Sequence, residues 1–215
     1  KCAADAEKDL GLKALRQNTF VHAHGTGTPA NRTTESHILN EIANTFGIKN
    51  WPITAIKSYL GHSMAPASGD QLIASLGTWN KGIIPGIHST DTLADDVYSE
   101  NLDILLEDKM EEENFYKGCF LNAKGFGGNN ASAFILSPEE TQIKMESLVT
   151  KNKYNQYLKN VGETRKKSSQ YNKSCLKGNY QVTYKFNENV LNGETDIEIS
   201  RKGIKLKGFK KPIKF

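Results

Sequence analysis

Apolar spacing in the chain opens on a helix. Ala3, Ala6 and Leu10 recur at intervals of three to four toward Leu15, and Asn18 supplies a stop. Thr19-Phe20-Val21-His22-Ala23 is short and β-rich, which predicts a buried strand, and Gly25 and Gly27 follow in a loop. Thr33 or Thr34 suits the start of a helix reaching Phe46, with Ile38, Leu39, Ile42 and Phe46 on one face and Gly47 as its end. Ile53–Ile56 reads as the next strand and Lys57–Ser63 as a loop. Pro66–Trp79 reads as a helix, because proline is tolerated in a first turn. That helix is apolar or small almost all round, which predicts an interior position. Strands follow at Ile83–Ile84, Leu102–Leu106, Gly118–Ala123 and Ala131–Leu136, the last two separated by the glycine-rich Lys124–Asn130. Two strand–loop–helix units followed by strands predict an α/β layered core.

From Ser137-Pro138 the pattern changes. Residues 139–173 are rich in Glu, Lys, Gln and Tyr, which predicts one or two exposed helices. Tyr180–Phe186, Asp196–Ser200 and Gly203–Gly208 alternate at period two, and Asn192-Gly193 is a turn signal. This predicts a small antiparallel β appendage. Charge divides at the same place. Residues 138–215 carry 17 basic and 8 acidic side chains, a balance of +9, against 11 and 16 in residues 1–137, a balance of −5. The expected organisation is therefore a core over 1–137 and a basic extension over 138–215.

The 215 residues are enough to bury a core. No apolar run approaches the roughly 20 residues of a membrane helix, so no spanning segment is expected. Three cysteines without framework spacing exclude a disulfide scaffold and point to a reducing cytoplasm. The opening Lys1-Cys2-Ala3-Ala4 lacks Met and any signal or transit pattern, as expected of a fragment.

Three loops concentrate unusual residues. His24-Gly25-Thr26-Gly27-Thr28 follows one predicted strand, and Lys57-Ser58-Tyr59-Leu60-Gly61-His62 follows the next. The third loop lies within Asn122-Ala123-Lys124-Gly125-Phe126-Gly127-Gly128-Asn129-Asn130-Ala131. Loops at the C-terminal ends of parallel strands are where α/β folds build sites. Two histidines after successive strands can converge, and two imidazole N–H groups form a donor pair for an oxyanion or enolate. Thr26 and Thr28 place hydroxyls at the same mouth.

The order and spacing of these motifs resemble the β-ketoacyl-acyl carrier protein synthases of the thiolase-like superfamily, over about residues 1–137. The resemblance implies the second half of a layered α-β-α-β-α fold, with the helical and antiparallel β appendage behind it. It implies decarboxylating Claisen condensation of a malonyl thioester with an acyl-enzyme in fatty acid or polyketide synthesis. His24 and His62 would be neutral, with Nε2–H turned inward, and would stabilise the enolate. Lys57 and Glu35 would form a buried ion pair that orients His62. Phe126 would act as a gate, and its backbone N–H would serve the oxyanion hole. Thr26, Thr28 and Gly127 would meet the substrate's phosphopantetheine arm, so no resident cofactor and no metal are implied. The family's nucleophilic cysteine stands in the first half of the fold, and Cys2, Cys119 and Cys175 match no such position. Expected partners are acyl carrier protein or coenzyme A thioesters, a complementary N-terminal ketosynthase half, and a second copy in a homodimer. Lys124 stands where the family has an aromatic, Ala123 where it has serine, and Asp70 is unusual in its helix. A non-catalytic thiolase-like subunit, setting chain length or acting as scaffold, is the alternative.

Other motifs read more plainly. His22 and His24 share a strand face, but no third ligand stands at metal spacing, so His22 reads as a packed or hydrogen-bonded residue. His37 and His88 read as surface or packing residues. Gly125–Gly128 precedes a strand and lacks a following Gly-Lys-Ser/Thr, so it is not a nucleotide loop. The basic extension reads as a solvated face or as a docking surface for an acidic carrier. It has no nucleic-acid motif.

Overall fold

The computed structural model describes residues 1–180, 182, 186, 188 and 190–215, and for Phe126 the backbone alone. The chain divides into two compact units, Lys1–Tyr154 and Asn155–Phe215.

The first unit begins with α1 (Cys2–Leu10) and α2 (Leu12–Gln17), separated at Gly11 where one continuous helix was expected. Then come β1 (Thr19–His22), α3 (Pro29–Phe46), β2 (Trp51–Thr54), a single helical turn α4 (Lys57–Leu60) and α5 (Ala67–Lys81). Short strands β3 (Ile83–Ile84), β4 (Leu102–Ile104) and β5 (Lys109–Met110) lead to β6 (Gly118–Lys124), a 3-10 turn at Phe126–Gly128 and β7 (Asn130–Leu136). The unit also contains α6 (Pro138–Leu148), which starts on a Ser137 hydroxyl accepting the Glu140 N–H. Strands β4, β2, β1, β6 and β7 form one sheet in that order. All its pairings are parallel except β6 with β7.

Alternation along β1 sorts the core. Val21, with Ala23 beyond the strand, joins Leu39 and Ala43 of α3 and Ala3 and Ala6 of α1 on one face. Phe20 packs on the other face with Trp79 of α5, Tyr116 and Leu121. The result is helices, sheet, helix in layers, as expected for this part of a thiolase-like fold. The central parallel strands β1 and β2 are buried on both faces, as such strands require.

Several expectations shift. The α3 helix starts at Pro29, not near Thr33. The Thr33 and Thr34 hydroxyls bond back to the Pro29 and Ala30 carbonyls and so lie inside the helix. The second strand starts at Trp51, two residues before Ile53, because the indole is buried and its N–H reaches Thr19 Oγ1 at 3.0 Å. The β5 strand, paired antiparallel with β3, was not expected.

The α5 helix is not interior all round. Its inward side carries Gln71, Ser75, Thr78 and Trp79, while Leu72, Ile73 and Leu76 are 36%, 70% and 49% exposed. The polar side chains turn in because backbone acceptors await them: Gln71 bonds the Ala23 and Asn122 carbonyls and Ser75 bonds the Gln71 carbonyl.

The second unit holds most of α7 (Lys151–Leu176) and strands β8 (Ile197–Ser200), β9 (Gly203–Leu206) and β10 (Ile213–Lys214), antiparallel with β9 in the middle. The expected strand at Tyr180–Phe186 lies outside the described residues at Gln181, Thr183, Tyr184 and Lys185. Among the described residues no helix is long and apolar enough to cross a membrane.

Candidate active site

The parallel strands β1, β2 and β6 send their following loops to one edge of the sheet. The first loop carries His24, which is 6% exposed. Its backbone N–H donates to Glu35 Oε1 at 2.7 Å, and the Gly25 N–H donates to Glu35 Oε2 at 3.0 Å. Glu35 is buried on α3, four residues beyond Asn31, whose Nδ2 also reaches Oε2 at 3.0 Å. Asn122 Nδ2 on β6 donates to Oε1. One carboxylate thus gathers two loop N–H groups and two amides, which is how a buried charge is made tolerable.

The rings of His24 and His62 come together with centroids 5.2 Å apart and planes at 79°. Each is held at Nδ1 by a backbone donor. The Lys124 N–H reaches His24 Nδ1 at 3.1 Å, and the Met64 N–H reaches His62 Nδ1 at 3.0 Å. A backbone N–H only donates, so both Nδ1 atoms are acceptors. The neutral form of each ring then carries its proton on Nε2. Burial pushes the His24 imidazole pKa down, the Lys57 charge adds to this, and Glu35 opposes it. His24 is therefore neutral at pH 7. His62 is exposed.

The expected Lys57–Glu35 ion pair is not made. Both Glu35 oxygens are occupied by the loop and amide donors, and Lys57 Nζ is buried with no hydrogen-bond partner among the described residues. Burial lowers the Lys57 pKa, and the charges of Glu35 and Asp70 oppose that fall without contact. His22 is fully buried beside Phe20, with ring centroids 5.5 Å apart, and neither nitrogen has a hydrogen-bond partner among the described residues. Burial, then the Lys57 charge, lowers its pKa to about 3.

Thr26 and Thr28 bring their hydroxyl oxygens within 3.4 Å of each other at the mouth. Gly127 is exposed with φ of 78° in the turn beyond β6. The Phe126 side chain expected as a gate lies outside the described residues. His37 lies at 4.5 Å from Tyr98, and His88 pairs with Asp108 at 2.9 Å and lies 5.8 Å from the ring of Tyr59. Cys119 is buried and bonds Ser75, Cys2 bonds the Ser132 carbonyl, and Cys175 lies in the second unit. No cluster suited to a metal occurs among the described residues.

Sequence reasoning missed Gln71. Its Nε2 donates to the Ala23 carbonyl at 3.0 Å and to the Asn122 carbonyl at 3.1 Å, and the residue is 1% exposed. The available signal was an amide among the small and apolar residues of the first half of the helix, next to the Asp70 already noted.

Residues 1–91 match the family described as β-ketoacyl synthase, C-terminal domain. The chain is 42% identical to the β-ketoacyl-[acyl-carrier-protein] synthase FabY of Pseudomonas aeruginosa over 213 residues, 99% of this chain and 33% of that protein. It is 33% identical to 3-oxoacyl-[acyl-carrier-protein] synthase 1 of Haemophilus influenzae over 113 residues, 53% of this chain and 26% of the relative. The crystal structure of the noncanonical ketosynthase FabY from P. aeruginosa superposes with a TM-score of 0.82 at 41% identity, covering 100% of this chain and 33% of that one. The chain thus spans about a third of the length of FabY.

Proposed function

Since the chain belongs to the thiolase-like β-ketoacyl synthases through the family's C-terminal domain, we propose that it supplies the histidine pair of a decarboxylating condensing enzyme. The observation that carries this reading is the pairing of His24 and His62, each with Nδ1 taken by a backbone N–H and each left with Nε2–H to donate.

The substrate is a malonyl thioester on acyl carrier protein or coenzyme A. Its thioester carbonyl accepts from both Nε2–H groups. The bond from the α-carbon to the carboxylate breaks, CO₂ leaves, and the electron pair becomes the enolate. Two neutral donors suit this step, because they stabilise a developing negative charge without surrendering a proton to it. The enolate carbon then attacks the carbonyl of an acyl-cysteine thioester. The new C–C bond forms as the thiolate departs, leaving a β-ketoacyl thioester on the carrier.

The acylated cysteine belongs to the other part of the ketosynthase. Cys119 is buried with its thiol pushed up to about 12, which suits packing and not nucleophilic attack. The same remainder would cover Leu72, Ile73 and Leu76 of α5, an apolar row that otherwise faces water. A homodimer of the completed enzyme follows the same logic. Thr26 and Thr28 receive the pantetheine arm at the mouth, so no resident cofactor is needed.

The test is malonyl thioester decarboxylation by the complete ketosynthase that contains this sequence. His24→Ala and His62→Ala should each lower turnover by about 10²–10³. Turnover unchanged in either variant would sink the reading.

A further inference from the structure

The hydrogen-bond ladder between β1 and β6 ends at His22 and Leu121. One residue further on β1 gives way to its loop while β6 continues against β7 to Lys124, so the carbonyls of Ala23 and Asn122 lie beyond the last β1–β6 register pair. Gln71 Nε2 donates to both, at 3.0 and 3.1 Å, from inside the first turns of α5. Both of its amide protons are therefore used to hold the end of β1 against β6. What these two segments carry is the point. Ala23 precedes His24 directly. Asn122 lies two residues before Lys124, whose N–H holds His24 Nδ1, and the Asn122 side chain donates to the Glu35 that anchors the His24 N–H. The same turn of α5 reaches the other histidine loop, because Asp70 accepts from the Ser63 hydroxyl next to His62.

From this geometry we infer that Gln71 is a positioning residue for the condensing reaction: its amide clamps the end of β1 to β6 at Asn122 so that the Lys124 N–H meets His24 Nδ1 and the His24 Nε2–H stays aimed beside His62. Gln71 touches no reacting atom and acts through His24. The inference rests on the condensing reading for its kinetic consequence, but the clamp itself has a readout independent of turnover.

Gln71→Leu keeps the bulk and removes both donors. Gln71→Glu keeps the shape but sets a carboxylate against two carbonyl oxygens, so that only its protonated form can donate to one of them. In the complete ketosynthase labelled with ¹⁵N-histidine, Gln71→Leu should lose the resonance of His24 in a fixed Nε2–H form and show exchange between tautomers. Its kcat for malonyl thioester decarboxylation should fall on the order of tenfold to a hundredfold, with KM changed less than about twofold, since the donor and not the binding mouth is displaced. For Gln71→Glu, the ratio of its kcat to that of the parent enzyme should rise as pH is lowered, because protonation restores a donor. A packing role would leave that ratio flat. An unchanged His24 tautomer with unchanged kcat in Gln71→Leu overturns the inference, and so does a pH-independent ratio in Gln71→Glu. If the parent enzyme decarboxylates nothing while the His24 resonance still responds to Gln71→Leu, the clamp is upheld and the condensing reading falls instead.

Discussion

Lys124 holds His24 through its backbone, not its side chain. Its N–H meets Nδ1 at 3.1 Å while its ammonium turns away to the Thr34 hydroxyl at 3.1 Å. The tautomer of His24 is thus set by where β6 ends, a property of the sheet, and the Met64 N–H does the same for His62. Long-range ¹H–¹⁵N spectra at neutral pH should show both rings protonated at Nε2 and bare at Nδ1. A proton on either Nδ1 would contradict the arrangement.

Lys57 acts on the histidines through its charge. It lowers the pKa of both His22 and His24 without bonding either. Lys57→Met should therefore raise the pH at which His24 protonates. In the complete enzyme the acid limb of the pH–rate profile should move upward, because imidazolium forms at a higher pH and cannot remain the neutral donor. A limb that stays in place, or shifts downward, would show that the charge of Lys57 does not reach His24.

His22 ties stability to pH. Its native pKa is depressed to about 3, so the folded chain keeps it neutral where the unfolded chain, near 6.5, takes a proton. Its contribution is intact above about pH 6.5 and is lost as pH falls toward 3, at up to about 1.4 kcal/mol per pH unit. His22→Leu removes that proton uptake. Urea unfolding should find wild type losing stability more steeply than the variant between pH 6.5 and 5. Equal slopes would mean the native imidazole titrates normally.

Two glycines of the first loop should respond differently to the same change. Gly25 and Gly27 both have positive φ, 59° and 69°, so alanine at either is strained by about 1–2 kcal/mol. At Gly27 a Cβ would meet nothing within 4 Å. At Gly25 it would stand 2.5 Å from the Ala55 Cβ, which has no flexible side chain to move away. Gly25→Ala should therefore destabilise by a further ~1–3 kcal/mol and disturb the Glu35 contacts of the loop, whereas Gly27→Ala should show the smaller loss in a thermal melt. Equal losses would mean the Gly25 approach is relieved by backbone movement.

The histidine pair was legible in the sequence because the loops that carry it follow strands of one parallel sheet, and strand plus loop motif fixes both the edge and the order. Legibility failed where side-chain polarity ran against the usual sense of burial. A helix apolar or small almost all round reads as interior from Pro66 to Trp79, yet Leu72 and Ile73 face outward while Gln71 and Ser75 face in. Near-uniform small and apolar character marks no face, so it does not say which side meets the sheet. The Lys57–Glu35 pair failed for a related reason. Opposite charges at family spacing suggested contact, but hydrogen-bond donors local to the loop reached the carboxylate first. Gln71 carried no periodic signal, since its role is to finish a ladder whose end the sequence does not mark.

Cysteine reactivity gives a direct check on the division of labour. Cys119 lies in β6 between Ser75 and the aromatic cluster, 0% exposed, and burial raises its thiol to about 12 against the pull of its Ser75 hydrogen bond. At pH 8 its thiolate is scarce and sterically shielded. Cys2 and Cys175 are only half-buried. Brief iodoacetamide treatment of the native protein, read by peptide mass mapping, should label Cys2 and Cys175 well before Cys119, and denaturant should bring Cys119 level with them. An acyl thioester recovered on Cys119 after incubation with acyl carrier substrate would place the nucleophile inside this chain and overturn the proposed division of labour.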